Sequence, residues 1–238
     1  MTSNALIIEA KIAAAASAVK LVQNHTIIGL GSGSTMEFFI KELGRRIKGE
    51  GIDIKTVATS YDAQLLAYKY NIPVLNLQNI DNLALTVDGA DEVDKNGDVI
   101  KGKGGAQLLE KIIASLSQQL VLIVDETKLV QTLGKDAPVP VEVIPQALRL
   151  VQHKLEALGC NCSTRTGAGK VGPVVTDLGN LIIDAKFEQI EDTHKLDIQL
   201  NNIPGVAGHG LFVNMVDKVI VGFSENGAVK VNTIKFEK

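Results

Sequence analysis

"TIIGLGSGSTMEFFIKELGRRIK", residues 26–48, decides the fold. A β-branched apolar run, 26–31, ends in a glycine-serine loop, and the loop opens directly into a helical pattern. Glycines at 29, 31 and 33 let the backbone approach a ligand closely, and the N–H groups and positive dipole of a helix start favour an anion. Ser32, Ser34 and Thr35 add hydroxyl donors, and Ser34 with Glu37 has the spacing of a capping box. A dinucleotide fingerprint wants glycine at position 34 and meets Ser34; no Gly-Lys-Ser/Thr closes a P-loop. A loop of serine and threonine suits one terminal phosphate of a small metabolite. A tight turn with a capping serine is the plainer alternative.

Working outward, strands and helices alternate. A helix over 4–23 precedes the loop; "IKTVAT" (54–59), "IPVLNL", "LALTVD" and "QLVLIVD" (119–125) read as strands, with a helix from about 105 to 118. This predicts an α/β fold: a Rossmann-like, mainly parallel sheet with helices on both faces. After Gly134 the order becomes β-α-β-β-α, with "VVTD" and "NLIIDAKF" as two of the strands, which suits a small ferredoxin-like α+β domain. The expected division is 1–135 and 207–238 for the α/β catalytic domain and 136–206 for the small one. Asn96-Gly97 and Asn226-Gly227 are hairpin-type turn pairs.

Composition narrows the function. The 238 residues carry a net charge of −3, which argues against nucleic acid as a partner. No apolar run approaches the ~20 residues of a membrane span. The N-terminal segment is broken by Glu9 and Lys11 and reads as an amphipathic helix rather than a signal peptide, so cytoplasmic location is the expectation. The two cysteines, Cys160 and Cys162, cannot alone complete a zinc site and read as strand residues. The four histidines, at 25, 153, 194 and 209, lack ligand spacing.

"VDGADEVD" (87–94) places four acids in eight residues and is followed by the cationic loop "KGKGGA" (101–106). A calcium loop starting at Glu92 fails, because its twelfth position is Lys103 instead of glutamate. Asp94 and Asp98 flank the Asn-Gly turn and read as solvated. Asp88 and Asp91 follow an apolar strand, spaced by the small Gly89 and Ala90, and suit sugar hydroxyls or proton transfer. Lys101 and Lys103, with Gly102, Gly104 and Gly105, could stabilise an oxyanion at a helix start. Ser60 in "TSYDA" could join an anion pocket or simply cap the next helix, and Asp62 could hold a nucleotide ribose. Leu108, Leu109, Ile112, Ile113 and Leu116 define the apolar face of the following helix, and Glu110 lies off it, so the pattern makes Glu110 a surface residue.

"GLGSGST", "TSYDA", "VDGADEVD", "KGKGGAQLLEKI", "DETKLV", "VPVEVIP" and "IPGVAGHGLF" follow one another in this order. Together, over residues 4–223, the chain resembles the A-type family of ribose-5-phosphate isomerase. The resemblance implies interconversion of ribose 5-phosphate and ribulose 5-phosphate in the non-oxidative pentose phosphate pathway, without metal or organic cofactor. It implies a sugar phosphate as the partner, and assembly as a homodimer or homotetramer. The family's carboxylate base falls on Glu110, against the surface reading; its active-site lysine falls on Lys101 and its sugar-contacting acids on Asp88 and Asp91. The phosphate and substrate loop falls on Ser32, Gly33, Ser34 and Thr35, and a further substrate lysine on Lys128. The remaining contacts fall on Gly89, Ala90, Gly102, Lys103 and Gly104. Many members have threonine where this chain has Ser32, and unbroken glycines where it has Lys103.

The resulting expectation is proton transfer through a cis-enediolate. Glu110 serves as base with its pKa raised by partial burial, Lys101 stabilises the enediolate oxygen, and the Ser/Thr loop anchors the phosphate. Two rivals are a phosphosugar-sensing domain without turnover and a nucleotide-dependent oxidoreductase. The first is opposed by the lack of a basic segment, the second by the missing third glycine.

Overall fold

A computed structural model describes residues 4–169 and 171–237. The elements run α1 (Asn4–Val19), β1 (Thr26–Leu30), α2 (Ser34–Glu50), β2 (Ile54–Ala58), α3 (Tyr61–Lys69) and β3 (Leu85–Asp88). Then come β4 (Glu92–Val93), β5 (Val99–Ile100), α4 (Gln107–Ser115), β6 (Leu120–Asp125) and β7 (Val139–Val143). The chain continues with α5 (Leu148–Glu156), β8 (Asn161–Thr164), β9 (Leu181–Lys186) and α6 (Thr193–Asn201). It closes with β10 (Val206–His209), β11 (Leu211–Phe212), β12 (Lys218–Glu225) and β13 (Ala228–Lys235). Contacts divide the chain into one compact unit of 1–90, 112–129 and 215–238 and a second of 91–111 and 130–214.

The first unit holds a six-stranded sheet in the order β13-β12-β6-β3-β1-β2, parallel except for the β12–β13 hairpin. Period-two alternation sends Ile28 and Leu30 of β1 to one face, where they meet Phe39, Ile40 and Leu43 of α2 and Ala14, Ala15 and Ala18 of α1. On the other face Ile27 and Val57 pack with Ile113 of α4. Helices therefore cover both faces, as the alternation predicts. The strand order reverses at β1, whose neighbours are β2 and β3. That reversal is where open α/β sheets bind ligands, beyond the carboxyl ends of the strands.

The second unit holds an antiparallel sheet, β10-β7-β9-β8, with α5 and α6 in the sequence β-α-β-β-α-β of the ferredoxin-like plan. A small sheet, β11-β5-β4, belongs to the same unit. The unit is wider than 136–206 because β10 pairs with β7 and β11 with β5, tying in 206–212 and the segment around 100.

Two expected strands shrink to bridges. In "IPVLNL" only Val74 pairs, with Thr56, and a short 3₁₀ turn follows at Leu77–Asn79; Pro73 has no N–H to continue a ladder. In "VVTD" only Val175 pairs, with Leu181. Ser34 does not cap α2: the N-cap is Gly33, with no side-chain cap bond. Asn226 and Gly227 both take positive φ, 53° and 78°, as the hairpin turn requires.

A histidine lies among the buried polar residues of the second unit. His209 is fully buried, its Nδ1 3.4 Å from Lys111 Nζ and its Nε2 3.2 Å from Asn201 Oδ1. A neutral ring with its proton on Nε2 satisfies both neighbours, since the ammonium can only donate. Burial, then the Lys111 charge, push the imidazole down from 6.5 to about 3. Lys111 is itself pushed down to about 8 by burial, opposed by Asp197. Between pH 6.5 and about 3 the unfolded chain binds a proton at residue 209 that the native protein refuses, so stability falls as pH falls through that window. Replacing the group as His209→Gln should remove about 2 kcal/mol of the stability that the native protein loses between neutral pH and pH ~4.5. Urea midpoints at the two pH values check this, and an equal loss in both proteins contradicts it.

Candidate active site

The loop after β1 leaves the sheet at Gly31, whose N–H donates to the Val87 carbonyl at 2.9 Å. Asp88, at the end of β3, is buried, and its Oδ1 accepts from the N–H of Ser32 (3.1 Å) and of Gly89 (2.7 Å). A side chain at position 31 has no room, since a Cβ would lie 2.0 Å from Asp88 Oδ1 and 2.6 Å from its Cα. Ser32 Oγ lies 2.7 Å from both Thr59 Oγ1 and Ser60 Oγ. Three hydroxyls from the ends of β1 and β2 thus share one hydrogen-bonding network. Ser60 also caps α3, its Oγ accepting from Ala63 N–H, which is the plainer of its two readings. Asp62 is exposed in the first turn of α3.

The first turn of α2 presents Ser34 and Thr35, whose N–H groups precede the intrahelical ladder. The φ of Gly33, +105°, turns the chain into that helix. Lys11, from α1, donates from Nζ to Ser34 Oγ at 3.0 Å and lies 3.9 Å from Asp125 Oδ2. It brings a positive charge to the serine loop from 23 residues upstream, a contact that its place in an alanine-rich helix does not signal. Lys128 ends the 3₁₀ turn Glu126–Lys128 that follows β6.

In the second unit Asp91 Oδ2 accepts from Lys103 N–H at 2.9 Å, and Asp91 N–H donates to the Ile100 carbonyl. Ala90 is the last residue before the chain enters this unit. Glu92 is buried and accepts from the N–H groups of Gly134, Asp136 and Ala137, which makes it a loop anchor. Asp94 stays in the turn, accepting from Asn96 and Asp98 N–H. Asp98 is not solvated as its turn position suggested: it is buried and accepts from Thr193 Oγ1 and Asn214 N–H.

Lys101 and Glu110 are buried to 3 % and 4 % exposure, with Lys101 Nζ 3.1 Å from Glu110 Oε2. Lys101 follows β5, and its N–H donates to the Gly210 carbonyl. Its ammonium also lies 5.7 Å from the centre of the Phe212 ring, a cation–π distance. The surface reading of Glu110 is overturned here. The buried residues of α4 are Gln107, Glu110, Ile113 and Ala114, a face with correct helical spacing but polar at its N-terminal end. Ile112, counted in the apolar stripe, is 39 % exposed. Gly102, Lys103 and Gly104 form the turn between Lys101 and α4, closed by Gly105 N–H donating to the Gly102 carbonyl.

A buried carboxylate against a buried ammonium can exchange a carbon-bound proton and stabilise the oxyanion that results. Hydroxyls, helix N–H groups and a lysine around residues 32–35 suit a phosphate. Among the described residues no group of three or more His, Cys, Asp or Glu is arranged to hold a metal ion, and no helix is long and apolar enough to cross a membrane.

Fold and residues define an α/β sheet protein with a buried lysine–glutamate pair and a hydroxyl-rich loop at a helix start. A family model, ribose 5-phosphate isomerase A (phosphoriboisomerase A), matches residues 55–226. Ribose-5-phosphate isomerase A of Pyrococcus horikoshii is 47 % identical over 218 residues, covering 91 % of this chain and 95 % of that protein. That of Thermosynechococcus vestitus is 47 % identical over 221 residues, covering 92 % and 94 %. A D-ribose-5-phosphate isomerase solved in complex with phospho-erythronic acid is 44 % identical with a TM-score of 0.92, covering 96 % of this chain and 99 % of that one. The Methanocaldococcus jannaschii ribose 5-phosphate isomerase A structure gives 43 % and 0.89, with 95 % and 98 % covered. The chain belongs to the ribose 5-phosphate isomerase A family.

The contact of Gly31 with the Asp88 backbone leads to a stability prediction. Gly31→Ala should destabilise the protein by about 1–3 kcal/mol, because the added carbon forces strand ends apart. A denaturant midpoint unchanged from the parent would contradict this.

Proposed function

We propose that the chain interconverts ribose 5-phosphate and ribulose 5-phosphate without a metal, with Glu110 as the base. The observation that carries this reading is the buried Glu110–Lys101 pair at 3.1 Å. Membership of the family supports the substrate, and a relative bound to a phosphorylated sugar acid supports a phosphorylated ligand.

Glu110 takes the proton from C2 of the open-chain aldose. The C2–H electrons move into the C1–C2 bond, and the carbonyl oxygen becomes an enediolate. The Lys101 ammonium lowers the energy of that oxyanion, and the same ammonium favours Glu110 as the carboxylate, against the cost of burial. After the enediol proton shifts between the two oxygens, Glu110 returns a proton to C1 and the ketose forms. Asp88 and Asp91 hold sugar hydroxyls and assist opening of the furanose ring. Both carboxylates are already aimed by backbone N–H groups. Ser32, Gly33, Ser34 and Thr35, with Lys11 and Lys128 as cations and Ser60 as a further hydroxyl, take the phosphate. Binding energy far from the reacting carbons then orients them. Gly89, Ala90, Gly102, Lys103 and Gly104 supply the remaining contacts. The working form is a homodimer or homotetramer. Tyr61, Leu65 and Tyr68, spaced along one face of α3 and all more than half exposed, support an interface.

Pure protein in excess EDTA should convert ribose 5-phosphate, and Glu110→Gln should lower turnover by ~10²–10⁴ or more. Binding of the sugar phosphate without conversion, or near-normal turnover in the variant, contradicts the assignment. Activity that EDTA abolishes and a divalent ion restores contradicts the metal-free part.

A further inference from the structure

The lysine–glycine loop is gripped by a residue with no part in the chemistry above. Arg165 follows β8 directly, and its backbone N–H donates to the Ile182 carbonyl at 2.8 Å. Asp184 of β9 takes its guanidinium through two parallel bonds, Nε to Oδ2 at 2.9 Å and Nη2 to Oδ1. That fork fixes the plane of the guanidinium and leaves Nη1 to act elsewhere. Nη1 donates to the carbonyls of Gly102 at 2.7 Å and Lys103 at 3.1 Å. Arg165 and Asp184 are 14 % and 19 % exposed, so the pair is partly shielded from water.

A planar trans peptide points its C=O and N–H in opposite directions. A carbonyl drawn onto the guanidinium therefore turns the following N–H away from it. The Gly102 carbonyl governs the Lys103 N–H, and that N–H lands on Asp91 Oδ2 at 2.9 Å. The Lys103 carbonyl governs the Gly104 N–H in the same way. Gly102, at φ +101°, leaves 2.7 Å between an added Cβ and the Gln107 side chain, so the loop cannot fix its own shape with a side chain there.

We propose that Arg165, oriented by Asp184, is the positioning residue of the lysine–glycine loop. It sets the amide planes of 102–104, and through them the Lys103–Asp91 contact. The catalytic consequence rests on the function proposed above; the effect on loop order does not.

Arg165→Ala in the full chain should lower kcat for ribose 5-phosphate by about 10²-fold, the scale of a small misplacement of reacting groups, with a smaller rise in KM because the phosphate loop is untouched. Millimolar guanidinium, far below denaturing levels, should restore much of the lost rate, which a merely structural defect would not allow. Amide exchange at Gly102–Gly104 should quicken while the core of the second unit stays protected. Unchanged kcat, loss of rate that guanidinium does not restore in a folded variant, or unchanged loop exchange overturns the proposal. If Arg165→Ala does not fold, Arg165→Lys, which keeps the charge and loses the fork, is read by the same kinetics and exchange. If the parent protein has no isomerase activity, the functional reading falls and loop exchange alone decides this one.

Discussion

A lysine and a glutamate at 3.1 Å, both nearly stripped of water, are an expensive arrangement to keep. The effective desolvation penalty is several kcal/mol for each ion, and attraction between them offsets it only when geometry is good and other polar contacts help. Here the surrounding structure supplies those conditions. The pairing of Ile100 with Leu211 and Val99 with Phe212 brings β5 and β11 together, which sets Lys101 beside the Phe212 ring and its N–H on the Gly210 carbonyl. The start of α4 then carries Glu110 to the ammonium. The division of the chain follows from this: 91–111 goes with the second unit because its strands, loop and helix start are bonded there.

The other unit is organised around a different constraint. At the strand-order reversal, the loop after β1 and the end of β3 lie so close that only glycine fits at position 31. Asp88 occupies the space a side chain would need and takes two backbone N–H groups. Ser32 is held at the same time by hydroxyls from the end of β2. The same contacts that stabilise the strand ends thus fix the orientation of Ser32 just before α2.

The α/β alternation was legible because strand and helix periods differ and the glycine loop marks their junction. The serine loop was legible for the same reason. The capping role expected of Ser34 was not realised, since Gly33 makes the turn and the Ser34 hydroxyl meets Lys11 instead. Glu110 was hidden because periodicity searches for apolar residues, and the buried face of α4 begins with Gln107 and Glu110. Lys11 and Arg165 were hidden because each acts across a long sequence gap, and only the folded chain brings it to its loop. Lys11 did leave a trace, a single cation inside an alanine-rich helix. Asp98 looked like a turn residue, and its burial comes from partners about a hundred residues away, Thr193 and Asn214.

The account turns on one carboxylate moving a carbon-bound proton. Incubating ribulose 5-phosphate with the protein in deuterium oxide and following C1 by proton NMR tests this directly. A base that shuttles the proton lets solvent deuterium enter at C1, so the signal should fade with the native protein and persist with Glu110→Gln. Deuterium entry at the native rate in that variant, or isomerisation by the native protein with no deuterium in the product, would contradict the account.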